Sequence, residues 1–495
     1  MADGENAIRF VLDGEVHTVA GVSPTTTVLQ YLREHLGRCG TKEGCAEGDC
    51  GACTVVLGEL SDSTVRYRAI NACIQFLPTL DGKALLTVES LKLRANEPAM
   101  PLDELHPVQR AMVDCHASQC GFCTPGFVMS LYALYRGAPE ADEETARQAI
   151  SGNLCRCTGY RPILAAARRM YTIAPAQRAR EVEQDRELAA RLHNIRVDSS
   201  KTLADGNTWY VAPVTVAELL QVLADRPRAT LLAGGTDVGL WVTKQHAELR
   251  ELVYLGNIAE LGSIVHGDSH LELGAAVSLT DAFAALLAEY PDLREIARRF
   301  ASPPICNAGT LVGNVANGSP IGDSMPALIS LGASLVLRSS AGTRELALEE
   351  LYLDYQKKDL RPGEFVASVR VPRARAGLKL RSYKIAKRFE QDISSVCAAF
   401  AIELANDRIR TARVAFGGMA AVPKRASACE QALSGAQWNA STIARSAQAL
   451  AKDFRPLTDM RASADYRARI ARNLLTRFHA DVSGCDSASV WSHAG

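Results

Sequence analysis

An α+β protein of several domains is what this sequence predicts, and three observations carry the prediction. Its 495 residues exceed what one hydrophobic core organises, so three or four domains are expected. Period-two alternation near the start gives way to helical spacing after residue 90, and mixed strands and helices follow from about residue 210. Eight of the fourteen cysteines fall into two groups in the first third of the chain, each with four thiols. The expected division is 1–88, 89–174, an exposed linker over 175–205 with room for a helix in part of it, 206–376 and 377–490.

Composition narrows the classes. Lysines and arginines equal aspartates and glutamates at 55 each, so nothing in the charge balance calls for a nucleic acid or a membrane surface. The start, Met1-Ala2-Asp3-Gly4-Glu5-Asn6, lacks the basic and apolar regions of a secretion signal. No apolar run approaches the ~20 residues that span a bilayer. A soluble cytoplasmic protein is expected, in a reducing compartment where clustered cysteines bind metal rather than form disulfides.

Residues 8–22 alternate apolar and polar side chains around Asp13-Gly14, a hairpin signal. Val28, Leu29, Leu32 and Leu36 then mark one face of a short helix over Thr27 to Leu36. Two strand-like runs, Thr54–Leu57 and Val65–Ala72, follow the first cysteine loop. This order predicts a small β-grasp domain with the loop at one edge. Next, Thr124-Pro125 reads as a helix start, a capping hydroxyl before a proline at the first helical position. Glu143–Ile150 and Pro162–Met170 read as helices flanking the second cysteine turn. Further strands are expected over Ala398–Leu404 and Ile409–Phe416, and helices near 440–452 and 463–478.

The first cysteine group is Cys45-x4-Cys50-x2-Cys53 with a distant Cys73, the spacing by which plant-type ferredoxins hold a [2Fe–2S] cluster. A tight loop brings three sulfurs to two irons, and the fourth arrives from elsewhere. Glycines at 44, 48 and 51 let amide N–H groups approach the sulfurs. The second group, Cys120-x2-Cys123 answered by Cys155-x1-Cys157, supplies another four thiolates. A zinc site is the competing reading, although zinc loops usually come as two CxxC pairs. Cys39 and Cys115 read as spare thiols.

Three stretches carry a resemblance: Gly40-Thr41-Lys42-Glu43-Gly44-Cys45 through Val55, Gln119 through Gly126, and Gly152-Asn153-Leu154-Cys155-Arg156-Cys157-Thr158-Gly159-Tyr160-Arg161-Pro162. They resemble the two-cluster module of the xanthine dehydrogenase family of molybdenum hydroxylases. Downstream, Leu231 to Val238 is an apolar strand breaking at Gly234-Gly235 into an apparent helix. Paired glycines expose N–H groups that can cradle a pyrophosphate, and by itself such a sequence is equally a plain turn. Asn307 to Asn314 and Ser319 to Asp323 resemble the other half of the family's flavin site. No G-x-G-x-x-G fingerprint is present, so the resemblance implies a vanillyl-alcohol-oxidase type of FAD domain.

Carried over position by position, the resemblance implies FAD contacts from Leu231, Leu232, Ala233, Gly234, Gly235, Thr236, Asp237, Val238, Phe300, Thr310, Asn314, Asp323, Val366 and Lys384. Tyr355 and Gln391-Asp392-Ile393 match positions near the nicotinamide pocket of relatives, with an ordinary surface loop as the alternative. The tail motif, Asp459 to Arg467, resembles the CO-dehydrogenase-flavoprotein-like domain that closes this module. Single-chain relatives are far longer and carry a molybdopterin domain. The resemblance therefore implies the small subunit of a bacterial member of the family, two copies of each subunit, and a molybdopterin-binding large partner that oxidises hypoxanthine or xanthine. Electrons would reach NAD+ through both clusters and FAD, and no catalytic residue is assigned to this chain. The same module in another molybdenum hydroxylase (acting on an aldehyde, a nicotinate-like ring or carbon monoxide) and a stand-alone NAD(P)H-linked carrier stay open.

Overall fold

The computed structural model describes residues 6–91, 104–206 and 208–484; the expected domain ends at 1–5 and 485–490 lie outside the described residues. Chain contacts define two compact units, one of Met1–Leu219, Arg228–Ala259 and Ala301–Gly309, the other of Leu220–Pro227, Glu260–Phe300 and Thr310–Gly495.

In the first unit, β1 (Ile8–Leu12) and β2 (Glu15–Val19) pair antiparallel with Leu12 opposite Glu15. Asp13 and Gly14 both take positive φ, 53° and 80°, as a two-residue hairpin of matching twist requires. Thr27 and Gln30 form a reciprocal capping box. The helix that follows, Val28–Gln30, continues as a wider π-turn over Tyr31–His35, with Val28, Leu29 and Leu32 buried. β3 (Thr54–Ser61), β4 (Thr64–Asn71) and β5 (Ala84–Leu86) complete a sheet in the order β2-β1-β5-β3-β4. This is the predicted β-grasp domain.

Helices Pro107–Asp114, Thr124–Gly137, Glu143–Ala149 and Arg161–Arg169 pack around Phe127, Leu131, Ile163 and Met170. The expected Thr124 cap is corrected here. Thr124 is already helical and Cys123 holds the cap position with an αR backbone, so no side chain caps this helix. The Thr124 hydroxyl pairs with Ser118 Oγ at 2.7 Å instead.

The expected linker is helical in part, as read, but its exposure is corrected. Its first part, Pro175–Asn194, is one 20-residue helix. Leu192 and Ile195 are buried with Val11 and Ala84 of the first sheet. Glu181 is buried too, 2.9 Å from His106 Nε2. The stripe Glu181, Leu188, Leu192 is thin among charged residues, which is why charge masked its helical period.

β6 (Lys201–Asp205), β7 (Thr208–Ala212), β8 (Thr230–Leu232) and β9 (Glu251–Tyr254) form a second sheet in the order β6-β7-β9-β8. β9 runs parallel to both β7 and β8. Leu203, Tyr210, Leu232 and Leu252 share one apolar core with Phe10 and Ile70 of the first sheet and with Leu32 and Ile74 beside it. The cysteine loop and the glycine turn are thus parts of one packed body.

The second unit holds a five-stranded antiparallel sheet ordered Ile264–His266, His270–Gly274, Phe365–Pro372, Ser334–Ser339, Gly342–Ala347. Its other large sheet is the meander Leu378–Ile385, Val396–Ala405, Arg408–Gly417 and Lys424–Arg425. Helices Ser427–Leu433, Ala440–Asp453 and Ala464–Val482 belong to the same core as Phe400 and Phe416. Phe400 and Phe478 stack there at 5.1 Å. The predicted strands and last two helices are present; Ser427–Leu433 was not foreseen.

Candidate metal and flavin sites

The first cysteine loop folds around the sulfur of Cys45. Ala46 and Gly48 take positive φ, 53° and 77°, which turns successive amides inward. The N–H groups of Glu47, Asp49 and Cys50 all donate to Cys45 Sγ at 3.4 Å. The Cys50 and Cys73 thiols and these amides hold the Cys45 thiol well below its ordinary pKa, against the effect of burial. Cys53 contacts Cys73 in turn and is also lowered. Four thiols from the loop and from the residue two beyond β4 therefore meet, as the spacing required.

In the second group, Cys157 Sγ lies 3.5 Å from Cys120 Sγ. Cys155 contacts Cys123, and burial pushes the Cys123 thiol up to about 12. Burial would raise Cys155 as well, but the Thr158 hydroxyl at 3.2 Å and the Thr158 amide at 3.5 Å bring it below its usual value. Cys120 and Cys157 are exposed, whereas Cys53 and Cys73 are buried. Among the described residues no three His, Cys, Asp or Glu side chains close on the position of a single metal ion. A two-iron rhomb makes no such demand, because each iron takes two cysteines and the sulfides join them. The paired thiols and inward amides fit that group. Cys39 is an exposed free thiol and Cys115 ends the helix Pro107–Asp114.

The glycine turn follows β8 as predicted. Among the described residues, the N–H groups of Gly234, Gly235, Thr236 and Asp237 donate to no acceptor of the chain. Gly235 has φ +79°. Such a run of free amides before a helix suits an anionic phosphate, so this part of the chain fits FAD. Val238 and Leu232 are buried beneath the turn. A Cβ at Gly234 would lie 2.0 Å from the Ala308 carbonyl oxygen and 2.5 Å from Gly309 Cα. Gly234→Ala should therefore displace backbone, at about 1–3 kcal/mol, and lower the flavin-to-protein ratio while iron content holds. Gly235→Ala meets only Leu232 Cδ1 at 3.4 Å but must hold φ +79°, a left-handed backbone that costs alanine about 1–2 kcal/mol without moving a neighbouring strand or loop; it should also lose flavin, by less than Gly234→Ala, as absorbance at fixed protein concentration would show.

The helix after this turn, Val238–Thr243, touches the first cysteine loop. Thr243 Oγ1 donates to the Ala46 carbonyl at 2.8 Å, and Lys244 pairs with Glu47 at 3.7 Å. A Cβ on Gly239 would meet the Ile74 carbonyl at 2.4 Å. Asn307 Nδ2 donates to the Ala69 carbonyl at 2.9 Å. None of these contacts was legible beforehand, since Ile74, Thr243 and Gly239 carry no motif.

In the second unit the expected FAD residues are already engaged. Thr310 caps Leu311–Asn317 by accepting from the Gly313 amide at 3.0 Å, and Asn314 Oδ1 accepts from Ser324 Oγ at 2.5 Å. Asp323 Oδ2 meets Lys384 Nζ at 2.8 Å, and its Oδ1 accepts from Ser394 Oγ at 2.6 Å. Val366 is buried in its strand. Phe300 sits beside Phe283 at 5.2 Å. Tyr355 is 60% exposed at the tip of the Tyr352–Lys358 hairpin. Asp392 accepts from the Arg388 amide at 2.9 Å, and Gln391 is a positive-φ residue beside the exposed Ile393.

Comparison with known proteins agrees with this geometry. Residues 10–76 match the 2Fe-2S iron-sulfur cluster binding domain and 87–168 the [2Fe-2S] binding domain. Residues 202–374 match the FAD binding domain in molybdopterin dehydrogenase, and 381–482 the CO dehydrogenase flavoprotein C-terminal domain. The chain is similar to xanthine dehydrogenase of Emericella nidulans, 33% identical over 97% of this chain and 39% of the relative. It is 29% identical to aldehyde oxidase 1 of Bos taurus, over 97% of this chain and 40% of that one. It thus spans about two fifths of such relatives. A chain of the carbon monoxide dehydrogenase from Hydrogenophaga pseudoflava superposes with a TM-score of 0.54 at 26% identity, covering 57% of this chain and 100% of that one. Two iron–sulfur domains, an FAD domain and its closing domain in this order match the iron–sulfur/FAD electron-transfer part of the molybdenum hydroxylase family.

Proposed function

We propose that this chain is the iron–sulfur/FAD subunit of a xanthine dehydrogenase, taking electrons from a molybdenum centre on a partner that oxidises hypoxanthine or xanthine and delivering them to NAD+. The observation that carries the reading is a chain of contacts. Leu154, beside Cys155, donates its amide to the Cys50 carbonyl at 3.0 Å, and the same cysteine loop touches the helix after the glycine turn through Ala46 and Thr243. Bound [2Fe–2S] clusters supply one-electron steps and FAD converts between one and two electrons.

The chain's own share is placement. Cys45, Cys50, Cys53 and Cys73 hold one cluster, and Cys120, Cys123, Cys155 and Cys157 the other. Inward amides stabilise thiolate at Cys45. The free amides of Gly234 to Asp237 receive the FAD pyrophosphate, and Tyr355, Asp392 and Ile393 border the nicotinamide. The exposed thiols of the second group, with exposed Phe122 and Leu154 beside them, face the partner, a molybdopterin-binding large subunit present in equal copies.

Similarity to carbon monoxide dehydrogenase and aldehyde oxidase favours one second reading, the same module serving another molybdenum hydroxylase. Anaerobic isolation with whatever co-purifies should give about four irons and one flavin per chain, and xanthine-dependent reduction of NAD+. Reduction by aldehyde, a nicotinate-like ring or carbon monoxide in place of xanthine would transfer the assignment to that substrate. A sample without iron or flavin would end both readings.

A further inference from the structure

The two cysteine loops are joined by more than proximity, and one side chain sits at the joint. Asn153 is 2% exposed, immediately before Leu154 and Cys155. Its Nδ2 donates to the Gly51 carbonyl at 3.0 Å and to Thr54 Oγ1 at 3.2 Å, and its Oδ1 accepts from Ser130 Oγ at 2.6 Å. A carbonyl can only accept, so the amide orientation is fixed. Gly51 O also accepts from Thr54 Oγ1 at 2.7 Å and from the Thr54 amide at 3.1 Å. One buried carbonyl, between cysteines 50 and 53, thus gathers donors from both loops.

Glycine makes this approach feasible. Gly51 has φ +68°, and a Cβ there would lie 2.1 Å from the Gly152 carbonyl oxygen and 2.6 Å from Asn153 Nδ2. A Cβ on Gly126 would lie 2.1 Å from the Gly51 carbonyl oxygen. Beside this joint runs the bond from the Leu154 amide to the Cys50 carbonyl. The path from Cys50 Sγ to Cys155 Sγ is therefore covalent except for one hydrogen bond.

We infer that Asn153 is a positioning residue that fixes the separation and the through-bond coupling of the two iron–sulfur sites. The inference rests on the electron-transfer reading above. Transfer of one electron from one site to the other breaks no bond and moves no proton, so its rate depends on separation, coupling and driving force. Separation and coupling are what a joint of this kind sets. Asn153→Asp keeps the shape but turns the donor facing Gly51 O into an acceptor, which pushes the loops apart. Ser130→Ala, a milder change, frees only the other end of the amide.

The test is paramagnetic resonance of the fully reduced holoprotein, in which spin–spin splitting reports the distance and coupling between the clusters. Both variants should keep wild-type iron. Asn153→Asp should lose the splitting and Ser130→Ala should show it diminished. An Asn153 needed only for folding would lower the melting temperature in both variants and leave the splitting at its wild-type width, which overturns the inference. Wild-type protein without iron would sink the electron-transfer reading itself.

Discussion

Replacing Lys384 with methionine is expected to cost about 3–5 kcal/mol in the stability of the second unit, because it strands a buried carboxylate. The Lys384 and Asp323 side chains are 2% and 8% exposed, and their charged atoms meet at 2.8 Å. Lys384 Nζ also donates to the Arg299 carbonyl at 2.9 Å, while Arg299 returns a bond to the Lys384 carbonyl at 2.7 Å. Ser394 satisfies the other Asp323 oxygen. Removing the cation leaves Asp323 with one hydroxyl and no counter-charge in a dry setting. The loss should appear locally, as faster amide exchange along Leu378–Ile385 and Val396–Ala405, because a multidomain chain need not unfold in one step. The double variant Lys384→Met/Asp323→Leu should recover most of the loss, since the desolvation cost of both charges disappears together. Unchanged exchange in the single variant would mean the pair contributes nothing net.

That pair shows what local sequence does not carry. Lys384 and Asp323 were each matched to flavin contacts by resemblance, and the structure adds that their charged ends meet each other. Sixty residues separate them, and no local pattern reports a partner that distant. The eight cysteines were legible because ligand spacing is local chemistry: the nine residues from Cys45 to Cys53 must curl for three sulfurs to meet. The hairpin at Asp13-Gly14 was legible for the same reason, since both positions need positive φ. The full length and buried face of the helix Pro175–Asn194 were not, because its buried positions are few and one of them is a glutamate. Nor could the contact of Thr243 with Ala46 be foreseen, as it depends on β8 and β9 sharing a core with the first sheet. Turns and ligand loops are written into neighbouring residues; docking of one body on another is not.

The same contrast between buried and exposed thiols gives the other large effect. Cys73→Ser and Cys157→Ser should each halve the iron, from about four to about two per chain, but only the first should cost the fold. Cys73 lies in the apolar core with Ile70, Ile74 and Cys53, and contacts both Cys45 and Cys53. Losing the cluster there leaves a buried hydroxyl beside the buried Cys53 thiol, with Cys45 and Cys50 half-buried, at about 1–3 kcal/mol for each buried group without a partner. Metal-binding free energy that counted toward folding is forfeited as well. Cys157 and Cys120 are exposed, so water solvates what the second cluster leaves behind. Iron and sulfide analysis should therefore show equal losses, while melting curves diverge by roughly 2–4 °C for every kcal/mol of difference. Equal melting temperatures would mean that the first cluster adds nothing to the packing around Cys53 and Cys73. Iron held at the wild-type level in either variant would remove that cysteine from its ligand set.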